Sequence, residues 1–421
     1  MANNFDSNVS KKVMKSFLSG FESERVLTKN VNTQLFQGEF NADTDSKVYV
    51  KRPTDFRAVE TADGDVSAET ASDIITGQAF AEAQNVITVF AEVNAVDEAL
   101  RAGQLDQLLK PAAKRLVTKL ETNMAKFMLK NSGGKTGTTG TAVTTWNHVA
   151  DGGAYLEALG VPMDKMWCMG INPFTQRKLA SDQRSLGGET GAMSANERAT
   201  IATNFAGMDV KTCTTLASYT TGAGADRAGV VAAAPTQTYL SAKDTMTTSL
   251  AVSGFQANLA IKAGETITIT DIYMNNLSTR EAMINETGSQ VEYTAVVTAD
   301  VTLNGSGAGT LVVSGPAIFE ANGQYDTIVA AIAGGEVVTL GGSPSTIYQP
   351  NLAWHPDAFS MVSIPQVKLN STDTIATTED GIQLRVTRDS DFYKNKNMYR
   401  FDLHPAFAAL NPFFSVQVFG S

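Results

Sequence analysis

Apolar residues change their period several times along the first third of the chain, and each change predicts an element. In residues 7–19 they fall at Val9, Val13 and Phe17, with Met14 and Leu18 beside them. That spacing predicts a helix, stopped by Gly20, with Lys11, Lys12 and Lys15 off the apolar stripe. Two readings stay open: a surface helix packing on its own domain, or an arm that docks on a partner. Segments 47–53 (KVYVKRP) and 86–96 (VITVFAEVNAV) alternate and are β-branched, so both predict strands. The polar stretch between them carries Glu60, Asp63, Asp65, Glu69 and Asp73. An excursion of about 30 residues is too long for a tight hairpin. Loops of such length are usually functional or disordered. Arg52 and Arg57 at the stem, with acids at the tip, suit a loop laid across a neighbouring subunit. A solvated loop is the plainer reading.

Residues 97–131 carry the strongest helical period. Asp97 is placed to cap a first helix through Leu109. Pro111 is placed to open a second, because its missing N–H costs nothing at the first helical position. Ala112, Leu116, Leu120, Met124, Phe127 and Met128 then share one stripe, about 30 Å long at about 1.5 Å per residue. Such a helix is a spine that something else must cover. The segment 131–145 reads as a flexible connector. Its Gly134-Lys135-Thr136 is no phosphate loop, since the motif's first glycine falls on Leu129 and no strand precedes it. Residues 146–182 predict helix, buried strand and helix (WNHVADGGAYLEALG, MWCMGI, and PFTQRKLASD after Asn172). Gly- and Ser-rich residues follow, then a strand, GMDVKTC.

Between 219 and 349 the helical period fades, except near STREAMINE. Short Thr/Val/Ile-rich runs replace it: TQTYLSA, TMTTSLAV, GETITITDI, QVEYTAVVTADV, GTLVVSG and GEVVTLG. Turn signals such as Asn304-Gly305 and Gly341-Gly342 separate them. These runs predict a small barrel or sandwich. Its Gly-rich ends, TTGAGADRAG and GGSPS, mark an inserted domain. From 350 the chain returns to strands, turns and a short helix, and its apolar end, FSVQVFG, is expected to be tied into a core or interface.

Composition narrows the function. The chain has 421 residues, 43% hydrophobic and 18% charged, so two or three domains are expected at about 150 residues each. No run is long and apolar enough to cross a membrane. The N-terminus lacks the apolar core of a signal peptide, so synthesis in the cytoplasm is expected. Net charge is −10, the wrong sign for gripping nucleic acid but suited to a wall along which DNA slides. The acidity is concentrated: residues 219–349 hold four Lys/Arg against eleven Asp/Glu. Cys168 and Cys213 read as free thiols. His148, His355 and His404 lack metal-ligand spacing. His355 and His404 each precede proline and read as structural. No Gly-x-Ser-x-Gly context, dinucleotide fingerprint or nucleophile–histidine pairing is found. No catalytic, cofactor-binding or metal residues are therefore assigned, and no cofactor is expected.

The order of elements resembles the major capsid proteins of tailed double-stranded DNA phages, whose fold is shared with herpesvirus shells. NLAWHPDAFSMVSIPQVK (351–368) is similar to a recurring Asn-Leu-x-x-His-x-Asp-Ala-Phe stretch of that family. GINPFTQRKLASD (170–182) resembles its strand, Asn-Pro, helix step, and NFAGMDVKTC (204–213) its glycine-led strand. ANNFDSNVSKKVMKSFLSGF, VKRPTDF, LVTKLETNMAKFMLKN and MYRFDLHPAFAALNP resemble the short-tailed-phage subgroup, whose coat proteins carry an inserted β-rich domain. The likeness covers nearly the whole chain.

The resemblance implies an α+β capsid fold with an inserted all-β barrel. Residues 1–35 would be an N-terminal arm, 40–96 an extended loop, and 97–144 a peripheral domain with the spine helix. Residues 145–218 and 350–421 would form an axial domain, and 222–347 the insertion. It also implies self-assembly, with scaffolding protein, into hexamers and pentamers of an icosahedral shell. A portal protein and weakly held packaged DNA would be the other partners, with no membrane. The chain would end in the virion capsid. Charge placement nominates Lys11, Lys12, Lys15, Arg52, Arg57, Asp63 and Asp65 as subunit contacts. Across local two-folds, no motif chooses among Asp271, Arg280 and Glu281. A tail-sheath or tail-tube subunit, an adhesin or decoration protein, and an enzyme are the competing readings.

Overall fold

The computed structural model describes residues 25–40, 45–53, 55–69, 73–94, 105–185, 204–321, 323, 325–369, 373–378, 380–391 and 393–421, together with Leu18 and Phe21. The predicted arm helix and the Asp97 cap lie outside these residues. The chain divides into two units.

The first unit comprises Met1–Tyr49, Phe80–Ala125 and Phe359–Ala408. An antiparallel sheet runs in the order Thr374–Thr377, Gln383–Asp391, Lys396–Leu403, Ile87–Asn94. A second sheet runs Lys47–Lys51, Gln78–Ala83, Pro405–Ala409, Phe359–Ser363. The strand at Gln78–Ala83 lies inside what the sequence reads as one polar excursion. Ala79 and Ala81 are buried, but alanine and glutamine carry little strand signal. Residues 359–408 belong here and not with 145–218, because Lys396–Leu403 pairs along its length with Ile87–Asn94. That divides the expected axial segment 350–421.

Helix α1, Leu105–Lys130, is one helix with Pro111 inside it, where two were expected. Proline removes one backbone hydrogen bond but need not end a helix whose apolar face is covered. Ala113, Leu116, Val117, Leu120, Met124 and Met128 are buried. The stripe thus turns slightly from the predicted one, leaving Ala112 and Phe127 at its margins. The covering expected of a spine includes the segment at Leu27 and Thr28, whose backbone N–H groups donate to Glu121 of α1.

The second unit comprises Val50–Ala79, Lys126–Ala358 and Ala409–Ser421. Its mixed sheet runs Lys135–Thr136, Ser415–Val418, Asn351–Trp354, Trp167–Ile171, Met208–Thr212, Asn204–Phe205. The apolar C-terminal strand is buried throughout, as its composition requires. Helices α2 (Trp146–Ala158) and α3 (Pro173–Ser185) match the predicted pair. α2 reaches the sheet through Gly152, where a Cβ would meet Val418 Cγ2 at 2.9 Å.

The inserted barrel is closed, in the order Thr247–Ser253, Gly309–Ser314, Glu292–Val297, Thr266–Tyr273, Val337–Leu340, Ala228–Val231. Alternation fills it: Leu250, Val252, Ile267, Ile269, Tyr293, Ala295, Leu311, Val313 and Val338 are all buried. Closure leaves the strands no free edge. One predicted strand is wrong: TQTYLSA contributes a helical turn, Tyr239–Ala242, and the sixth strand is Ala228–Val231 instead. Tyr239 and Ala242 are buried three residues apart, a helical spacing that β-branched content alone does not distinguish. The chain enters and leaves the barrel side by side, with Tyr219–Thr220 paired to Ile347–Tyr348.

Candidate assembly surfaces

The nominated residues fall into three situations. Lys11, Lys12 and Lys15 lie outside the described residues. Arg52 turns into its own chain. Its guanidinium donates to the carbonyls of Leu410 and Ala409, and its buried Nε has no partner among the described residues. Burial pulls the Arg52 pKa below its ordinary value, opposed by nearby Tyr239, Tyr325 and Asp244. That geometry gives Arg52 an internal task. Arg57, Asp63 and Asp65 sit in the loop as the charge pattern suggests. Arg57 pairs with Glu69 at 3.4 Å, drawing the two legs of the loop together.

Asp63 and Asp65 build the loop tip. Asp63 Oδ1 accepts the Asp65 N–H at 3.1 Å, and Asp65 Oδ1 accepts the Ser67 N–H at 2.9 Å. The Ser67 bonds hold the exposed Asp65 carboxyl below the usual range. The tip is thus a pre-shaped acidic turn in water. Val66 and Ile74 are exposed in the same loop, Ile74 at 73%.

Other apolar side chains stand in water. Phe90, 73% exposed, projects from the outermost strand of the first unit's sheet, opposite Arg400 and beside the Glu92–Lys396 ion pair at 2.9 Å. Phe174 opens α3 at 78% exposure. Single exposed hydrophobes are common, and the edge strand that carries Phe90 also offers unpaired backbone groups to which another chain could add.

His148 and His355 sit in structural hydrogen bonds. Asp164, His355 and Asp357 form the one cluster of metal-capable groups among the described residues. His355 is buried, with Nε2 2.9 Å from Asp164 Oδ1, and its Nδ1 accepts the Asp357 N–H at 3.1 Å. An accepting Nδ1 places the ring proton on Nε2, directed at Asp164. Lys165 meets Asp357 at 2.6 Å. In this arrangement His355 joins the loop at Asp164 to the turn at Asp357. His148 Nδ1 accepts the Thr144 N–H at 3.2 Å, an end-of-helix bond. Cys168 is buried and its thiol is pushed up to about 11 by desolvation, which suppresses the reactive thiolate.

Charge placement could not find the interior polar groups that fix this architecture. Glu265 is fully buried beside Arg227 and accepts the N–H groups of Lys262 and Gly222. Arg280 binds Asp55 at 2.9 Å within its own chain. Asp271, at a bulge with φ 65°, stays exposed on the barrel.

Known proteins resemble the chain along its length. The model of the family described as P22 coat protein, gene protein 5, matches residues 1–420. A major capsid protein from Acyrthosiphon pisum secondary endosymbiont phage 1 is 33% identical over 425 residues, covering 100% of each chain. A solved chain from Mycobacterium phage Che8 is 14% identical and superposes with a TM-score of 0.47, covering 94% of this chain and 92% of that one. The mature capsid of bacteriophage PhiM1 gives 7% identity and a TM-score of 0.40 over 89% and 82%. Superpositions this loose add no weight to the family match.

Proposed function

The chain belongs to the P22 coat protein family and is a phage major capsid protein, and from this we propose how its shell is built. The observation that carries the reading is a family match over residues 1–420, matched by 33% identity to a phage major capsid protein over the full length of both chains. Copies of the chain assemble into the virion capsid. We infer that they do so as hexamers and pentamers, guided by a scaffolding protein, with a portal protein in the same shell. Synthesis in the host cytoplasm precedes assembly. No catalytic step enters this reading.

Each subunit contact in such a shell can be modest, because many repeated contacts compound. Weak single contacts also let misplaced subunits leave. The net charge of −10 keeps packaged DNA from sticking to the wall except through weak, non-specific contact. Lys11, Lys12 and Lys15 would serve the arm, and Arg57, Asp63 and Asp65 the extended loop. Arg52 would serve the loop by anchoring its root. Residues 1–35 are assigned to the arm, 40–96 to the loop, 97–144 to the spine region and 222–347 to the insertion. Residues 145–218 and 350–421 are assigned to the axial part.

Co-expression with the scaffolding protein of the same phage, followed by negative-stain electron microscopy, tests this directly. Closed, uniform icosahedral particles are expected. Soluble monomer alone, with the correct scaffold present, would overturn the proposal.

A further inference from the structure

One turn of the inserted barrel, residues 276–281, holds its shape by local bonds and at a conformational cost. Asn276 Oδ1 accepts the N–H groups of Ser278 and Thr279 at 2.8 and 2.9 Å. The Arg280 N–H returns to the Asn276 carbonyl at 2.8 Å, and the Asn276 N–H reaches the Glu281 carbonyl at 2.9 Å. Arg280 itself sits at φ 60°, a region that side-chain-bearing residues rarely occupy. Strain of this kind persists where the surroundings over-determine it and often marks a working part.

The work done by that strained residue is visible in its side chain. One Arg280 nitrogen donates to Asp55 Oδ2 at 2.9 Å and to the Phe56 carbonyl at 3.1 Å. The other donates to the Gly323 carbonyl at 3.1 Å. Asp55 and Phe56 form the outgoing leg of the extended loop. On its other face the same turn grips the end of α2. The Leu277 N–H donates to the Leu159 carbonyl at 2.9 Å, and Asn276 Nδ2 to the Ala158 carbonyl at 2.7 Å.

The returning leg of the loop is gripped independently. The Gln78 N–H donates to Asp244 Oδ1 at 3.0 Å. Gly77 lies so close to the barrel that a Cβ there would meet the Lys243 carbonyl oxygen at 2.3 Å. The two legs are bridged below by the Arg52 N–H to the Gly77 carbonyl at 2.8 Å.

We propose that the inserted barrel clamps both legs of the extended loop of its own chain, Arg280 on one and Lys243–Asp244 on the other, and so sets the direction in which that loop leaves the subunit. The barrel then acts on assembly by aiming that loop, in addition to any contact of its own. The clamp itself is a property of the single chain. Only its consequence for particle shape rests on the capsid reading.

The experiment separates the two. Trypsin cleavage after Arg57 in the full-length monomer reports loop release, and electron microscopy of particles assembled with scaffold reports its consequence. Arg280→Glu places two like charges together and is expected to speed cleavage after Arg57 several-fold without lowering the melting temperature of the barrel. Adding Asp55→Asn to it removes the repulsion without adding a trypsin site and should slow cleavage again. Gly77→Ala attacks the other leg and should speed cleavage independently of Arg280. With wild-type particles closed and uniform, both single variants should give irregular or mis-sized shells. Wild-type cleavage rates in both single variants overturn the clamp. Faster cleavage with normal shells overturns its role in aiming the loop. If wild type forms no particles, the capsid reading fails while the cleavage result still decides the clamp.

Discussion

Glu121 of α1 holds Thr28 twice, accepting its backbone N–H at 2.9 Å and its hydroxyl at 2.5 Å on the same oxygen. The other carboxylate oxygen accepts the Leu27 N–H at 2.7 Å. Arg25, also buried, pairs with Asp380 at 2.8 Å and donates to the Thr28 hydroxyl. A carboxylate inside a long helix thus replaces water for two backbone amides of the segment at Leu27–Thr28. Leu27 and Thr28 are thereby fixed to the middle of α1.

Replacing Glu121 by Gln keeps the shape but turns one acceptor into a donor facing donors. Hydrogen bonds to a charged group contribute about 1.5–3 kcal/mol. The expected loss for Glu121→Gln is therefore about 2–3 kcal/mol of unfolding free energy, read from the urea midpoint of the monomer. A change below about 0.5 kcal/mol, the range of neutral surface substitutions, would show that the amides find other partners.

Arg227 and Glu265 form a buried ion pair in the second unit. Among the described residues two Arg227 nitrogens have no partner, so the pair depends on the single link to Glu265 and on Gly341, whose carbonyl lies 3.3 Å away. Removing one member of such a pair costs about 3–5 kcal/mol because the survivor is left charged and buried. Arg227→Met should fall in that range. Arg227→Met with Glu265→Gln should be less destabilised than Arg227→Met alone, since Gln stays neutral while still accepting an amide. Thermal denaturation of the four proteins in the cycle reads the coupling, and simple additivity would argue that the pair is not coupled.

How far these features could be read from sequence depends on whether they leave a periodic signal. α2, the Trp167–Ile171 strand, α3 and five of the barrel strands follow from apolar period and turn residues. Gln78–Ala83 does not, because alanine and glutamine hide a strand, and Tyr239–Ala242 hides a helical turn among threonines. Pro111 looked like a boundary because its effect on a helix depends on what covers the neighbouring turns. Glu121, Glu265 and Arg280 are typical surface residue types. Their importance lies in which distant backbone groups they meet, 93 residues away for Glu121 and Thr28, and no local pattern encodes that. The acidic loop tip was legible because exposed charge needs no partner to be recognised.

Asp402 supplies an acid-sensitive point in the first unit. Burial pushes its carboxyl up, but bonds from Thr88, Arg385 and Arg400 outweigh that and hold it below the usual range. Thr88 donates at 2.6 Å, Arg385 at 2.5 Å and Arg400 at 2.8 Å. A carboxylate with a lowered folded pKa contributes stability above its unfolded pKa, about 3.9 for Asp. That contribution is lost as pH falls through the lower folded value. Wild type should therefore lose melting temperature progressively below about pH 4. Asp402→Asn should be less stable than wild type at pH 7, with the gap narrowing as pH falls. A gap that stays constant down to pH 2.5 would remove Asp402 from the account.

The loop tip yields the most direct test of subunit contact, because Asp63 and Asp65 combine two roles that substitutions can separate. Each carboxylate accepts a backbone N–H and shapes the turn, and each presents charge to water. Asp63→Lys with Asp65→Lys removes both. Asp63→Asn with Asp65→Asn removes the charge and keeps a side-chain carbonyl that can accept the same amides. The tip is exposed, so both double variants should unfold within about 0.5 kcal/mol of wild type. If the loop meets a basic surface on a neighbour, the Lys pair should abolish closed particles and the Asn pair should reduce their yield, with wild-type assembly weakening as salt rises. If only the turn's shape matters, the Asn pair should assemble normally and the Lys pair alone should fail. Normal particles from the Lys pair would remove Asp63 and Asp65 from the interface and leave Val66 and Ile74, exposed in the same loop, as the groups to test next.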